Sequence, residues 1–166
     1  MFNFVLPAIL VTTINFSAFQ LPGLDLDLSA ISEKQKQLPK LEQFLEDKNS
    51  PMPASELLKY SNWEMIVALS NAESGYGKHR AGTYNAWGIK DFRKGSTKFG
   101  KTRDFNSWAE SIEYTSKLLF KYDPEDGEPT ASGMVAKWKY VKPYGHWINN
   151  VNYSLASLAK YDLIQV

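Results

Sequence analysis

Ser61-Asn62-Trp63-Glu64-Met65-Ile66-Val67-Ala68-Leu69-Ser70-Asn71-Ala72-Glu73-Ser74-Gly75-Tyr76-Gly77 is the stretch on which the rest of the chain depends. Ser61 followed three residues later by Glu64 is a capping box, so a helix is expected to start here. Trp63, Ile66, Val67 and Ser70 fall along one side of that helix. Gly75 can take the left-handed conformation that ends it. Glu73 is the anomaly, because it lies seven residues after Ile66 and four after Leu69. Helical geometry puts it on or beside the apolar side, in the last turn. There the backbone carbonyls disfavour a negative charge, and partial burial disfavours it further. Both effects raise a carboxyl pKa. A raised carboxyl is what a glycosidase uses to protonate a leaving glycosidic oxygen near neutral pH. Two glycines and a tyrosine directly after it permit a tight turn and close approach of a ligand to the backbone.

Downstream, Ser107-Trp108-Ala109-Glu110 is a second capping box. Trp108, Ile112, Thr115, Leu119 and Tyr122 then recur at 4, 3, 4, 3 spacing, the stripe of an amphipathic helix. An acidic loop follows over residues 123–129. Its Asp123-Pro124-Glu125-Asp126-Gly127 resembles a calcium loop only superficially. Residues 130–138 predict a short helix carrying Met134, Val135 and Trp138. Trp147, Val151, Leu155 and Leu158 predict a final helix after Pro143. Between the two capped helices, residues 76–105 mix glycines with aromatic and basic side chains. They read as loops with one small hairpin over residues 96–105, turning at Gly100. The expected fold class is α+β and mainly α, with a small loop and β-hairpin lobe inserted between the first capped helix and the later ones.

Upstream, residues 1–19 are mostly apolar, about the length of a signal or short anchor segment, although no Lys or Arg precedes them. Residues 20–53 are polar and punctuated by Pro22, Gly23, Pro39, Pro51 and Pro53. They read as a linker, with one short amphipathic helix suggested by Leu38, Leu41 and Leu45. The domain proper is expected over residues 54–166.

Composition narrows the function classes. Of the 166 residues, 43% are hydrophobic and 22% charged, as in an ordinary globular protein. The net charge of +1 gives no nucleic-acid signature. The charge is uneven, however: residues 78–103 hold eight Lys or Arg and one acid, Asp91. The absence of cysteine removes disulfides, thiolate metal sites and a cysteine nucleophile. With only His79 and His146, neither a multi-histidine metal site nor a hydrolytic triad is expected, and no cofactor is expected. Aromatic residues at 14% suit either a sugar-stacking groove or a dense small core.

Four blocks then carry a resemblance. They are Ala68-Leu69-Ser70-Asn71-Ala72-Glu73-Ser74-Gly75-Tyr76-Gly77, Tyr84-Asn85-Ala86-Trp87-Gly88-Ile89-Lys90, Phe105-Asn106-Ser107-Trp108-Ala109-Glu110-Ser111-Ile112, and Tyr140-Val141-Lys142-Pro143 through Trp147 to Val151. In this order they resemble the lysozyme-like superfamily, and within it the bacterial N-acetylglucosaminidases of the autolysin and flagellar-rod hydrolase type. The resemblance implies a lysozyme-like fold and cleavage of β-1,4 bonds in the glycan strands of peptidoglycan. It implies Glu73 as general acid and Tyr140 as a cleft tyrosine. Substrate contacts are implied at Ser74, Tyr76, Asn85, Trp87, Gly88 and Tyr144. Trp87, for which sugar stacking is the expected role, and Lys142 depart from the family pattern.

A second carboxylate to activate water would come from Asp91 or Asp104, with a salt bridge as the other role open to each. If neither serves, the substrate's N-acetyl group assists, or Glu73 alone acts as acid then base, which is lytic transglycosylase chemistry. A non-catalytic glycan-binding envelope or phage module and a chitinase-type enzyme are the competing readings. The expected setting is secreted or at the cell envelope. The expected state is a monomer, with membrane contact possible through residues 2–19.

Overall fold

The computed structural model describes residues 28–122, 129–139 and 142–165. The apolar segment 1–19, the acidic loop 123–128 and Tyr140 lie outside the described residues. Among the described residues six helices follow in order: α1 (Leu28–Asp47), α2 (Ala54–Leu57), α3 (Trp63–Ser74), α4 (Trp108–Tyr122), α5 (Ala131–Trp138) and α6 (Gly145–Ala159). The protein is mainly helical. Among the described residues no helix is long and apolar enough to cross a membrane.

α3 is the central element. Met65, Ile66, Val67, Ala68, Leu69 and Ser70 are all buried, so the helix is covered on every side over more than one full turn. It packs most extensively on α6, which contributes Trp147, Val151 and Leu158, and then on α4. Gly75 ends it as expected, at φ 57° and ψ 55°. Its N–H donates to Asn71 O and the Tyr76 N–H reaches back to Ser70 O, so two terminal carbonyls are satisfied.

The start of α3 differs from the expected capping box. Asn62 takes the N-cap, and no side chain caps the helix. The Asn62 amide is committed elsewhere: its Nδ2 donates to Ser116 O and its Oδ1 accepts from Ser116 Oγ, at 3.1 and 2.8 Å, tying α3 to α4. The second box is half realised. Ser107 Oγ accepts the Glu110 N–H at 3.1 Å, while the Glu110 carboxylate takes the Asn106 N–H and amide, each at 2.8 Å. α5 is capped by Thr130, whose hydroxyl accepts from Gly133 N.

The expected linker is part of the packed body. α1 runs 20 residues, through Pro39, and Leu41, Phe44 and Leu45 are buried. Phe44 packs edge to face against Tyr76 and Tyr161, with centroids 5.6 and 5.2 Å away. A helix-interior proline costs about 3 kcal/mol. Burying two leucines and a phenylalanine contributes roughly 1.5–3 kcal/mol each, which outweighs it. Leu38, Leu41, Phe44, Leu45 and Met52 therefore share one core with the described residues that follow them.

The pairing in the inserted lobe consists of isolated bridges, Gly82 with Asn85, Lys90 with Thr102 and Asp91 with Phe99. The last two lie between 89–91 and 99–103 rather than within 96–105. Asp91 N donates to Lys101 O and Arg103 N to Ile89 O. Gly100, at φ 73°, directs its N–H to Asp91 O instead of forming the tip of a hairpin.

Candidate active site

Glu73 occupies the last turn of α3, half-buried. α6 places Trp147 above it, and the indole Nε1 donates to Glu73 Oε1 at 2.6 Å. The Trp138 indole, from the end of α5, lowers the pKa of the same carboxyl. Burial pushes the Glu73 pKa up. The two indoles and the charges of Lys139 and Lys90 pull the other way without cancelling it. The result is a carboxyl with a raised pKa, oriented at Oε1 by the Trp147 donor. Its other oxygen, Oε2, faces Gly88, where an added Cβ would sit 3.6 Å away. Gly88 has φ 64°, so its glycine identity serves the turn.

Asn85 builds the turn that carries Gly88. Fully buried, it donates from Nδ2 to Ile89 O and Arg103 O and accepts at Oδ1 from Trp87 N and Ile89 N. Every polar atom of the amide is used within the protein, so Asn85 fixes this turn and offers nothing to a ligand. Ser74 is similar: its hydroxyl donates to Ala86 O at 2.6 Å and accepts from Gly77 N at 3.0 Å, joining the end of α3 to the lobe. Tyr76 is 4% exposed, packed on Phe44 with its hydroxyl against Ser154 inside the core.

Trp87 corrects the expectation of sugar stacking. It is 1% exposed, its Nε1 donates to Ile66 O at 2.9 Å, and its ring meets Trp108 edge to face. A ring with no exposed face has none to offer a sugar. Tyr144 is half-buried at the N-cap of α6, with Lys142 Nζ over its ring. Tyr140 lies outside the described residues.

Both candidate bases are tied into the lobe. Asp91 is 1% exposed; its oxygens accept from Arg93 N, Arg93 Nε, Arg93 Nη2 and Ser96 Oγ, which holds its carboxyl well below the usual range. A carboxylate so enclosed has no edge left for a water in a cleft. Asp104 accepts from Thr83 N at 2.8 Å and pairs with Lys98, which also depresses its pKa. Both therefore act as the salt-bridging lobe residues that the sequence left open.

The two residues that most define the carboxyl, Trp147 and Trp138, were not singled out as site residues by sequence reasoning. A usable signal existed: a buried indole N–H needs an acceptor, and Glu73 is the carboxyl on the apolar side of α3. Among the described residues no three His, Asp or Glu side chains converge as a metal site requires. A cavity of about 470 Å3, lined by Asn62, Met65, Phe120, Ile148 and Leu155 among others, lies at the opposite end of α3 from Glu73. Comparison with protein-family models, with curated proteins and with solved structures found no match.

Proposed function

We propose that the chain is a peptidoglycan glycosidase of the lysozyme-like superfamily, cleaving β-1,4 bonds of the glycan strand as an endo-β-N-acetylglucosaminidase. It would act outside the cytoplasm or at the envelope, as a monomer. The observation that carries this reading is Glu73, a carboxyl raised by burial, held at Oε1 by the Trp147 indole, with Oε2 towards Gly88. Such a group donates its proton to the bridging oxygen as the C1–O bond breaks, and the carboxylate it becomes is steadied by the Trp147 N–H. Tyr140 is assigned the cleft role the resemblance implies.

The engagement of Asp91 and Asp104 favours a second reading on the same site. With Asp91 and Asp104 both occupied, Glu73 acts as acid and then as base, and the product carries a 1,6-anhydro ring, as in a lytic transglycosylase. The test is clearing of purified peptidoglycan by the full chain and by Glu73→Gln, with mass spectrometry of the released sugars. The wild type should clear the suspension and the variant should not. Reducing GlcNAc ends support the first reading and anhydro-MurNAc ends the second. Equal clearing by both proteins refutes Glu73 as the acid. Wall binding without any released sugar would identify a non-catalytic module, and faster release from chitin oligomers a chitinase.

A further inference from the structure

The lobe beside Glu73 carries a second feature that the glycosidase reading does not use. Phe92 and Phe99 are 67% and 63% exposed and pack edge to face, with centroids 5.7 Å apart and planes at 82°. The turn presenting them is built rather than slack. Asp91 binds both Arg93 and Ser96, and the 91–101 backbone closes through Gly100 N to Asp91 O at 2.7 Å. Residues 88–103 hold six Lys or Arg against one Asp, so thirteen basic residues face seventeen acidic ones in the remainder of the chain. Lys94 and Lys101, both exposed, stand within two residues of the rings.

We infer that this tip docks on the face of an anionic phospholipid bilayer, the two phenyl rings entering among the headgroups and the flanking lysines meeting lipid phosphates. A bilayer interface rewards both features at once, apolar rings below and cations above. A soluble polyphosphate of the wall would engage the cations and leave both rings in water. A sugar would need one flat platform, and these rings stand nearly perpendicular. The concentration of positive charge in the lobe steers that end of the molecule towards an anionic surface. Gly88 of the same lobe sits beside Glu73 Oε2, so on the proposed glycosidase reading docking brings the acid site to the membrane side of the wall.

The chain lacks cysteine, which makes a direct probe simple. Phe92→Cys, labelled with an environment-sensitive fluorophore, is titrated with vesicles of phosphatidylcholine containing phosphatidylglycerol and with vesicles of phosphatidylcholine alone. Ser55→Cys, exposed on α2, is the control label. The label at 92 should shift to the blue on anionic vesicles only, and the label at 55 should not. In the unlabelled full chain, Phe92→Ser/Phe99→Ser should lower partition onto anionic vesicles by about tenfold or more. Lys94→Gln/Lys101→Gln should lower it by roughly tenfold or more, an effect erased by high salt. A label at 92 that stays in water while the protein sediments with vesicles overturns the inference. So does retention on immobilised polyphosphate that is unchanged by the phenylalanine substitutions, with no spectral shift on lipid. Glu73→Gln leaves the tip intact, so loss of docking and loss of cleavage are read separately.

Discussion

Trp147 Nε1 reaches Glu73 Oε1 at 2.6 Å across 74 positions of sequence, joining the first turn of α6 to the last turn of α3. This bond stabilises the carboxylate form in a place where burial disfavours it. Trp147→Phe keeps the ring and removes the donor. The Glu73 pKa is expected to rise further, and the basic limb of the pH–rate profile to move to higher pH. The maximal rate should fall on the order of tenfold as the carboxylate product loses its donor. Rates of sugar release across pH, with circular dichroism to confirm folding, check this. An unmoved limb would place the control of Glu73 elsewhere.

Burial of Glu73 also links stability to pH. Its folded pKa is raised above the ordinary value of 4.5, so the folded state binds this proton more tightly than the unfolded chain. Below 4.5 both states hold the proton and the group is neutral in the balance. As pH rises through the window above that value, the unfolded chain ionises first and the native state loses stability. Glu73→Gln removes the ionisation. The variant should gain in Tm relative to wild type between pH 4 and pH 8, by a few degrees if the effect approaches about 1 kcal/mol. Differential scanning calorimetry at the two pH values measures it, and a constant difference would contradict the burial argument.

Asp91 and Asp104 separate single-acid from paired-carboxylate chemistry. A general base contributes typically 10²–10⁴-fold. Since both carboxylates are occupied by lobe donors, Asp104→Asn should retain sugar release within about threefold, far from a base deletion. Asp91→Asn should loosen the 91–101 turn, read as faster amide exchange at Arg93, Ser96 and Gly100, before it affects cleavage. A hundredfold loss of rate in Asp104→Asn with an unchanged fold would restore the paired mechanism.

Much of the helical frame was legible because its signals are local. The stop at Gly75, the stripe of α4, the short α5 and the series in α6 each follow from spacing and caps within one segment. The misses involve partners far away in sequence. Asn62 abandons the expected cap because Ser116 offers its amide two bonds. Trp87 reads as a sugar platform until Ile66 O and the Trp108 ring enclose it. The lobe pairing shifts because the Asp91 side chain organises residues 92–98 into a turn that backbone pattern alone does not encode. Glu73 was legible as an anomaly, but the indoles that define it arrive from α5 and α6.

α1, expected only as a short helix around Leu38, Leu41 and Leu45, runs 20 residues, and this has a consequence for experiments. A chain cut to begin at residue 50 loses α1, and with it the buried Leu41, Phe44 and Leu45. At roughly 1.5–3 kcal/mol for each side chain the loss is about 5–9 kcal/mol, comparable with the whole stability of a small domain. It also uncovers the rings of Tyr76 and Tyr161 and removes the bond between Asp47 Oδ2 and the Tyr161 hydroxyl at 2.5 Å. Because Tyr76 directly follows the Gly75 stop of α3, the damage reaches the end of the helix that presents Glu73. The truncated chain should show no cooperative thermal transition and no sugar release, whereas a chain beginning at residue 28 should keep both. Circular dichroism melts of the two lengths decide this: a cooperative melt of the shorter chain would show that α1 is an appendage and that the core closes without it.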